Sequence, residues 1–335
     1  MKFAALTLFL ALFVCPPCRA QAEQQEVKHH GMMHAMDAQH PVSTAKLSVS
    51  NNAAANELTV RVGPVSLPAR AGMNIAQPPV FFLTIPFDGW LTAFHPRLAN
   101  SHGHPLPNKL LHHAAFYNTE HRDFLCANKE EHIFGAGGEM NDWPAVPGFG
   151  YRVRKGDRIR ISTMFANPIA KNYPDAFFEV GIDYHIAGPA NAAALKDVYP
   201  AWFNVMACGN SAYNLSPGLS TKTGQFKLRF SGRLLGVGGH LHDYGEWLVL
   251  KDSTTNENIA TLAANLDRSS QILSMPVKLF TDRDGFALHS GDVLTVTDAY
   301  NNPIGKPIPA GAMGIVVGYF LPDDPAAFAA FRRHP

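Results

Sequence analysis

His112 and His113 stand side by side in Leu110-Leu111-His112-His113-Ala114, and His240 and His242 alternate in Gly238-Gly239-His240-Leu241-His242-Asp243. A further candidate ligand follows each pair at nearly the same distance: His185 lies 72 positions after His113, and Met313 lies 71 after His242. Two halves, each with two close histidines and one distant ligand, read as a protein with two metal sites. Imidazole suits both oxidation states of copper, a thioether suits Cu(I), and neither set contains a carboxylate, so the expected metal is copper.

The pairs differ in what a strand would do with them. Period two puts His240 and His242 on one face, the usual way for a sheet to offer two imidazoles to one ion. Gly236, Gly238 and Gly239 let the backbone approach closely or bulge there, and Asp243 is placed to orient a ligand ring. Adjacent histidines on a regular strand face opposite ways, so His112 and His113 share an ion only where the strand twists, bulges or ends. The bland alternative is one core and one surface histidine. Alone, His185 is a core or edge residue and Met313 is core filler. The reading rests on all placements agreeing with one two-site plan.

The elements that must position these residues are strands. Leu58-Thr59-Val60-Arg61-Val62 alternates with period two, and Val80 to Ile85 and Trp90 to Phe94 are rich in β-branched and aromatic residues. Only Pro189 to Val198 and Pro325 to Arg332 look helical. With 335 residues, 27 Gly and 25 Pro, the chain is expected to be all-β, with two tandem jelly-roll-like β-sandwich domains at 43–200 and 212–325. The seam is expected between Val198 and Thr223. An internal repeat supports the pairing of halves: Gly156-Asp157 opens a β-branched run that ends at Asn167-Pro168, and Gly291-Asp292 opens one that ends at Asn302-Pro303.

The first residues read as a secretory signal, 1–22: Met1-Lys2, an apolar run from Phe3 to Val14, and Ala20-Gln21-Ala22 as cleavage site. The mature chain is expected to be secreted or periplasmic, with no transmembrane anchor after cleavage. Residues 23–42 read as a disordered tail whose His29, His30, Met32, Met33, His34, Met36 and His40 have a copper-collecting composition. Cys15 and Cys18 leave with the signal. Cys126 and Cys208 remain and, in an oxidising compartment, are expected to form a disulfide; the alternative is two separate buried thiols.

The formal net charge of +1 gives no electrostatic footprint for nucleic acid or an anionic membrane. No G-x-S-x-G elbow, phosphate loop or dinucleotide fingerprint occurs. Three imidazoles plus water is also a catalytic zinc set, which keeps a zinc hydrolase at His112, His113 and His185 open.

The chain resembles the copper type II, ascorbate-dependent monooxygenases, the peptidylglycine and dopamine hydroxylating enzymes, over about Ser43 to Pro322. Trp90-Leu91-Thr92-Ala93-Phe94-His95-Pro96-Arg97 looks like that family's lead-in strand. The resemblance implies an electron-supplying copper at His112, His113 and His185. It implies a catalytic, oxygen-binding copper at His240, His242 and Met313. It further implies two copper ions per chain, O2, a small-molecule substrate, and ascorbate or another reductant. Gly238, Ile315, Val317 and Asp183 stand where the peptide-hydroxylating branch has substrate-binding residues, so peptide amidation is not implied. Leu111-His112-His113, Gly135-Ala136-Gly137-Gly138-Glu139, Pro147-Gly148-Phe149-Gly150-Tyr151 and Gly238 to Asp243 are also similar to stress up-regulated Nod19-type proteins. A non-catalytic copper buffer or carrier is the rival function.

Overall fold

A computed structural model describes residues 40–41, 44–70, 72–188, 195–280 and 284–333. The signal segment, nearly all of the 23–42 tail, and residues 189–194 of the first helical expectation lie outside the described residues.

The first half forms β1 (His40–Pro41), β2 (Lys46–Asn52), β3 (Glu57–Leu67), β4 (Gly72–Gln77), β5 (Phe81–Thr84), β6 (Gly89–Ala99), β7 (Leu111–Arg122), β8 (Glu130–Ala136), β9 (Phe149–Val153), β10 (Arg158–Asn167), β11 (Tyr173–Ile186) and β12 (Lys196–Asp197). The second forms β13 (Tyr199–Asn204), β14 (Tyr213–Leu215), β15 (Gly218–Lys227), β16 (Gly232–Leu241), β17 (Gly245–Asp252), β18 (Glu257–Ala263), β19 (Asn265–Leu266), β20 (Ile272–Ser274), β21 (Val277–Leu279), β22 (Phe286–Leu288), β23 (Val293–Asn302), β24 (Ile308–Ala312) and β25 (Gly314–Pro322). The expected all-β class is the one adopted. The helix expected at Pro325–Arg332 forms as α1, with Pro325 in its first turn and the Asp324 carboxylate capping the Ala326 and Ala327 N–H groups. Two expectations are corrected. Lys196 and Asp197, at the end of the other helical stretch, form β12 against β9, and His40–Pro41, at the end of the tail, forms β1 against β4.

Two sheets build the first half: β1-β4-β10-β7-β8, with β5 on β10, and β12-β9-β6-β11-β3-β2. Alternation drives them together. Leu58, Val60 and Val62 turn inward from β3 while Thr59 and Arg61 stay half-buried. Phe116 of β7 meets Phe178 of β11, with ring centroids 6.4 Å apart. The second half repeats the plan with β13-β25-β16-β21, carrying β22 on β16, over β15-β23-β17-β18. The switch between the two sets falls at Val198, between β12 and β13.

The internal repeat is visible in hydrogen bonds. Gly156 and Gly291 both take positive φ, +98° and +99°, and the Asp157 and Asp292 carboxylates accept the Arg154 and His289 N–H groups. Asn167 and Asn302 close their strands identically. Each donates to the carbonyl four residues on, of Lys171 or Lys306, and accepts the N–H two residues on, of Ile169 or Ile304.

The halves share one apolar core. Phe124 stacks on Phe320 at 5.0 Å, and Phe328 of α1 lies 4.6 Å from Tyr199. Buried Arg332 donates to the Glu131 carboxylate of β8 at 2.7 Å. Cys126 and Cys208 form the expected disulfide and tie the β7–β8 turn to the chain after β13.

Candidate metal centre

The His112-His113 pair sits on a bulge. From Ile159–Asn118 to Met164–His113 the β10–β7 register is constant, then Phe165 pairs with Leu111 and His112 is left over. An extra residue in one strand breaks the alternation of side chains. Both rings therefore turn the same way, with centroids 4.2 Å apart. Pro107 and the tight turn at Asn108–Leu110 bring the chain into this position.

The other pair arrives from the second sandwich. His240 pairs with Ile315 and Leu241 with Gly314, and β16 ends there. His240 and His242 rise on one face, as period two requires, with centroids 5.4 Å apart. Gly239 admits the Met275 and Leu248 side chains; a Cβ there would lie 2.6 Å from Met275 Cε. Asn141 clamps this turn by donating to the Gly239 carbonyl and accepting the Met275 N–H.

The two pairs meet. His113 Nε2 and His242 Nε2 are 2.9 Å apart, and His112 lies 5.4 Å from His242 by ring centroid. One nitrogen from each of His112, His113 and His242 falls within 4.8 Å of the others. His240 adjoins them, 5.2 Å from His113 by centroid. Its Nδ1 faces the Glu139 carboxylate at 2.8 Å, and its Nε2 is buried without a hydrogen-bond partner among the described residues.

Burial holds two of these rings, His112 and His242, neutral. Desolvation, then the neighbouring His240 charge, lowers His112 to about 4. Desolvation, then His112 and His240, puts His242 well below the ordinary histidine value. Neutral imidazole is the ligating form, so His112 and His242 offer lone pairs at neutral pH. Two ring nitrogens at 2.9 Å and one orphaned buried nitrogen fit a metal ion: imidazole-rich sets suit zinc, copper, iron or nickel.

Met313 directly precedes Gly314, the partner of Leu241, so its backbone adjoins that of His242. Buried Tyr300 joins the two: its hydroxyl donates to the Met313 carbonyl at 2.6 Å and accepts N–H bonds from His242 and Met313. His185 is placed elsewhere. It pairs with Trp90, next to Leu91, whose partner Tyr151 bonds Asn118 through its hydroxyl. Asn118 is five residues along β7 from His113, roughly 16 Å at strand rise. His185 also shares the phase of half-exposed Gly181 and Asp183, not that of buried Val180, Ile182 and Tyr184. His185 and Met313, nearly equidistant in sequence from their pairs, thus sit at opposite ends of their strands.

Asp243 does not orient a ring; its carboxylate accepts the Ile272 N–H at 2.9 Å. The carboxylate that reaches a ligand-type ring is Glu139, in the loop after β8. Gly137 makes room for it: a Cβ there would lie 2.5 Å from Glu139 Oε2 and 2.7 Å from His240 Cε1. Glu139 was visible only as the last residue of the glycine-rich stretch from Gly135.

No family model matches the chain. It is similar to the probable copper-dependent oxygenase clz3 of Cochliobolus lunatus, 24% identical over 212 residues, covering 59% of this chain and 65% of that protein. It is also similar to the probable copper-dependent oxygenase M1 of Phoma sp. (strain ATCC 20986 / MF5453), 27% identical over 151 residues, 40% of this chain and 36% of that protein. The chain thus spans less than two thirds of either relative. Among solved structures, the major capsid protein P2 of bacteriophage PM2 aligns over 79% of this chain and 99% of its own, with a TM-score of 0.34 at 9% identity.

Proposed function

We propose that this chain is an exported, copper-dependent oxygenase acting on a small molecule. The observation that carries this is the convergence of two histidine pairs from different sandwiches, with nitrogens of His112, His113 and His242 within 4.8 Å of one another. The names of its two relatives support copper and oxygen chemistry. The cysteine pairing suits export into an oxidising compartment.

The two-ion plan implied by the resemblance gives way to one centre in this reading. His112, His113 and His242 hold the ion, His240 stands as the fourth imidazole, and Met313 supplies a thioether beside His242. Bound copper supplies one-electron redox chemistry towards O2, with ascorbate or a similar small reductant as electron source. The chain's own residues fix the rings, and burial keeps His112 and His242 neutral. The bulge at His112 and the Tyr300 hydroxyl set ring direction and the spacing of His242 from Met313.

The test is elemental analysis and electron paramagnetic resonance of the protein loaded with Cu(II), followed by reductant-dependent O2 uptake. One tightly bound copper with several nitrogen couplings, lost in His113→Ala and His242→Ala but kept in His185→Ala, is the expected result. Two coppers, one of them lost in His185→Ala, would restore the two-site plan. Copper binding without O2 uptake would favour a carrier, and zinc in place of copper would sink the oxygenase reading.

A further inference from the structure

We infer that Glu139 is a positioning residue that holds His240 as its Nδ1–H tautomer and thereby leaves the Nε2 lone pair free for the metal. This rests on the metal centre proposed above but is a separate claim about the chain's own geometry.

The Glu139 carboxylate is buried, with a side chain 4% exposed, and its Oε1 lies 2.8 Å from His240 Nδ1. Its other oxygen, Oε2, has no hydrogen-bond partner among the described residues, so the bond to His240 is what offsets the cost of burying the group. The ring nitrogen facing it must then carry the proton. A neutral imidazole has one N–H, so Nε2 is left as acceptor, and it is the atom with no hydrogen-bond partner among the described residues. A buried acceptor on the side of the ring away from the carboxylate, on a ring that adjoins His113 and His242, is what a ligand nitrogen looks like before the ion is added. A carboxylate behind a ligating histidine also fixes ring rotation and raises the basicity of the lone pair.

Two further features are built around this contact. Gly137 is the residue whose Cβ would strike both partners, at 2.5 Å from Glu139 Oε2 and 2.7 Å from His240 Cε1. Asn141, two residues beyond Glu139, bonds the Gly239 carbonyl and so ties the same loop to the residue preceding His240. Loop and strand end are thus locked at two points, one on the backbone and one on the ring. The loop follows β8 of the first sandwich and His240 closes β16 of the second. Glu139 therefore also sets how the second sandwich presents its ligand to the pair carried by β7.

The experiment compares wild type with Glu139→Ala and Glu139→Gln, using nitrogen-15 NMR of the histidine rings in metal-free protein, then Cu(II) affinity by competition and nitrogen coupling by electron paramagnetic resonance. In wild type and Glu139→Gln, whose amide oxygen still accepts, His240 should be the Nδ1–H tautomer. In Glu139→Ala it should become a mixture, copper affinity should fall about 10- to 100-fold, and one nitrogen coupling should weaken or vanish. An unchanged His240 tautomer in Glu139→Ala overturns the inference, whatever happens to copper. A wild-type protein that binds no copper overturns the proposed function instead, and the NMR comparison still decides the role of Glu139.

Discussion

At the scale of single residues, the histidine cluster depends on groups outside it. The Tyr300 hydroxyl serves three backbone atoms, of His242 and Met313. Removing a buried partner leaves the others unsatisfied at about 1–3 kcal/mol. Tyr300→Phe should lower stability by that order in urea melts and weaken copper binding, although Tyr300 is no ligand. His132 contributes to the acid behaviour of the fold. Its ring stacks on Trp202 at 3.5 Å and on Tyr117 at 4.4 Å, and burial lowers it to about 3. The folded value lies below the unfolded one near 6.5, so the unfolded chain takes up the proton more readily. The associated stability is complete above about 6.5 and is lost as pH falls towards 3. His132→Phe, which keeps the stacking, should lose less stability than wild type between pH 7 and 4.5. Equal losses in the two proteins would refute this. Asp123 and Asp298 act in the opposite sense. Burial raises each to about 6, so their contribution is greatest at low pH and fades as pH rises from about 4 to 6.

At the scale of elements, one extra residue in β7 decides whether two adjacent histidines face the same way. The register slip between Met164–His113 and Phe165–Leu111 places His112 out of alternation. Deleting Ala114 would move the register by one and send a ring to the other face. Copper affinity should then fall by orders of magnitude while circular dichroism keeps its β signature. Asn167 and Asn302 are matched closures of β10 and β23. Each buries an amide that donates to carbonyls, so Asn167→Ala and Asn302→Ala should cost a similar ~1–3 kcal/mol. A large difference between them would mean that the repeat is one of form and not of energetics.

At the scale of the whole molecule, the centre is assembled from both sandwiches, so anything joining them acts on it. Cys126 and Cys208 are 82 residues apart in sequence. Replacing both with serine should cost about 2–5 kcal/mol. Metal removal should act in the same direction. An ion that binds only the folded chain adds about 4 kcal/mol at a thousand times its Kd, so chelation should lower Tm measurably. His112→Ala together with His242→Ala should abolish that shift. Breaking the buried Glu131–Arg332 pair with Arg332→Ala should cost about 3–5 kcal/mol, because it strands the Glu131 charge.

Much was legible from the chain alone, and for local reasons. Period-two alternation in Leu58 to Val62 dictates a strand, Pro325 after Asp324 dictates a helix start, and the Gly-Asp and Asn-Pro punctuation announces two similar halves. His240-x-His242 shares a face because strand geometry allows nothing else. The bulge that turns His112 and His113 together was not legible, because it depends on the register of β10 against β7. Nor was the meeting of the two pairs, since sequence distance says nothing about which strand ends share a seam. The matched intervals to His185 and Met313 suggested equivalent ligands, yet one residue lies near the end of β11 and the other just before β25. Glu139 carried no local signal of its own, because a carboxylate becomes a partner of His240 only when a loop of one sandwich is packed against a strand end of the other. Local periodicity is written into neighbouring residues; convergence between distant segments is decided by how the sheets pack.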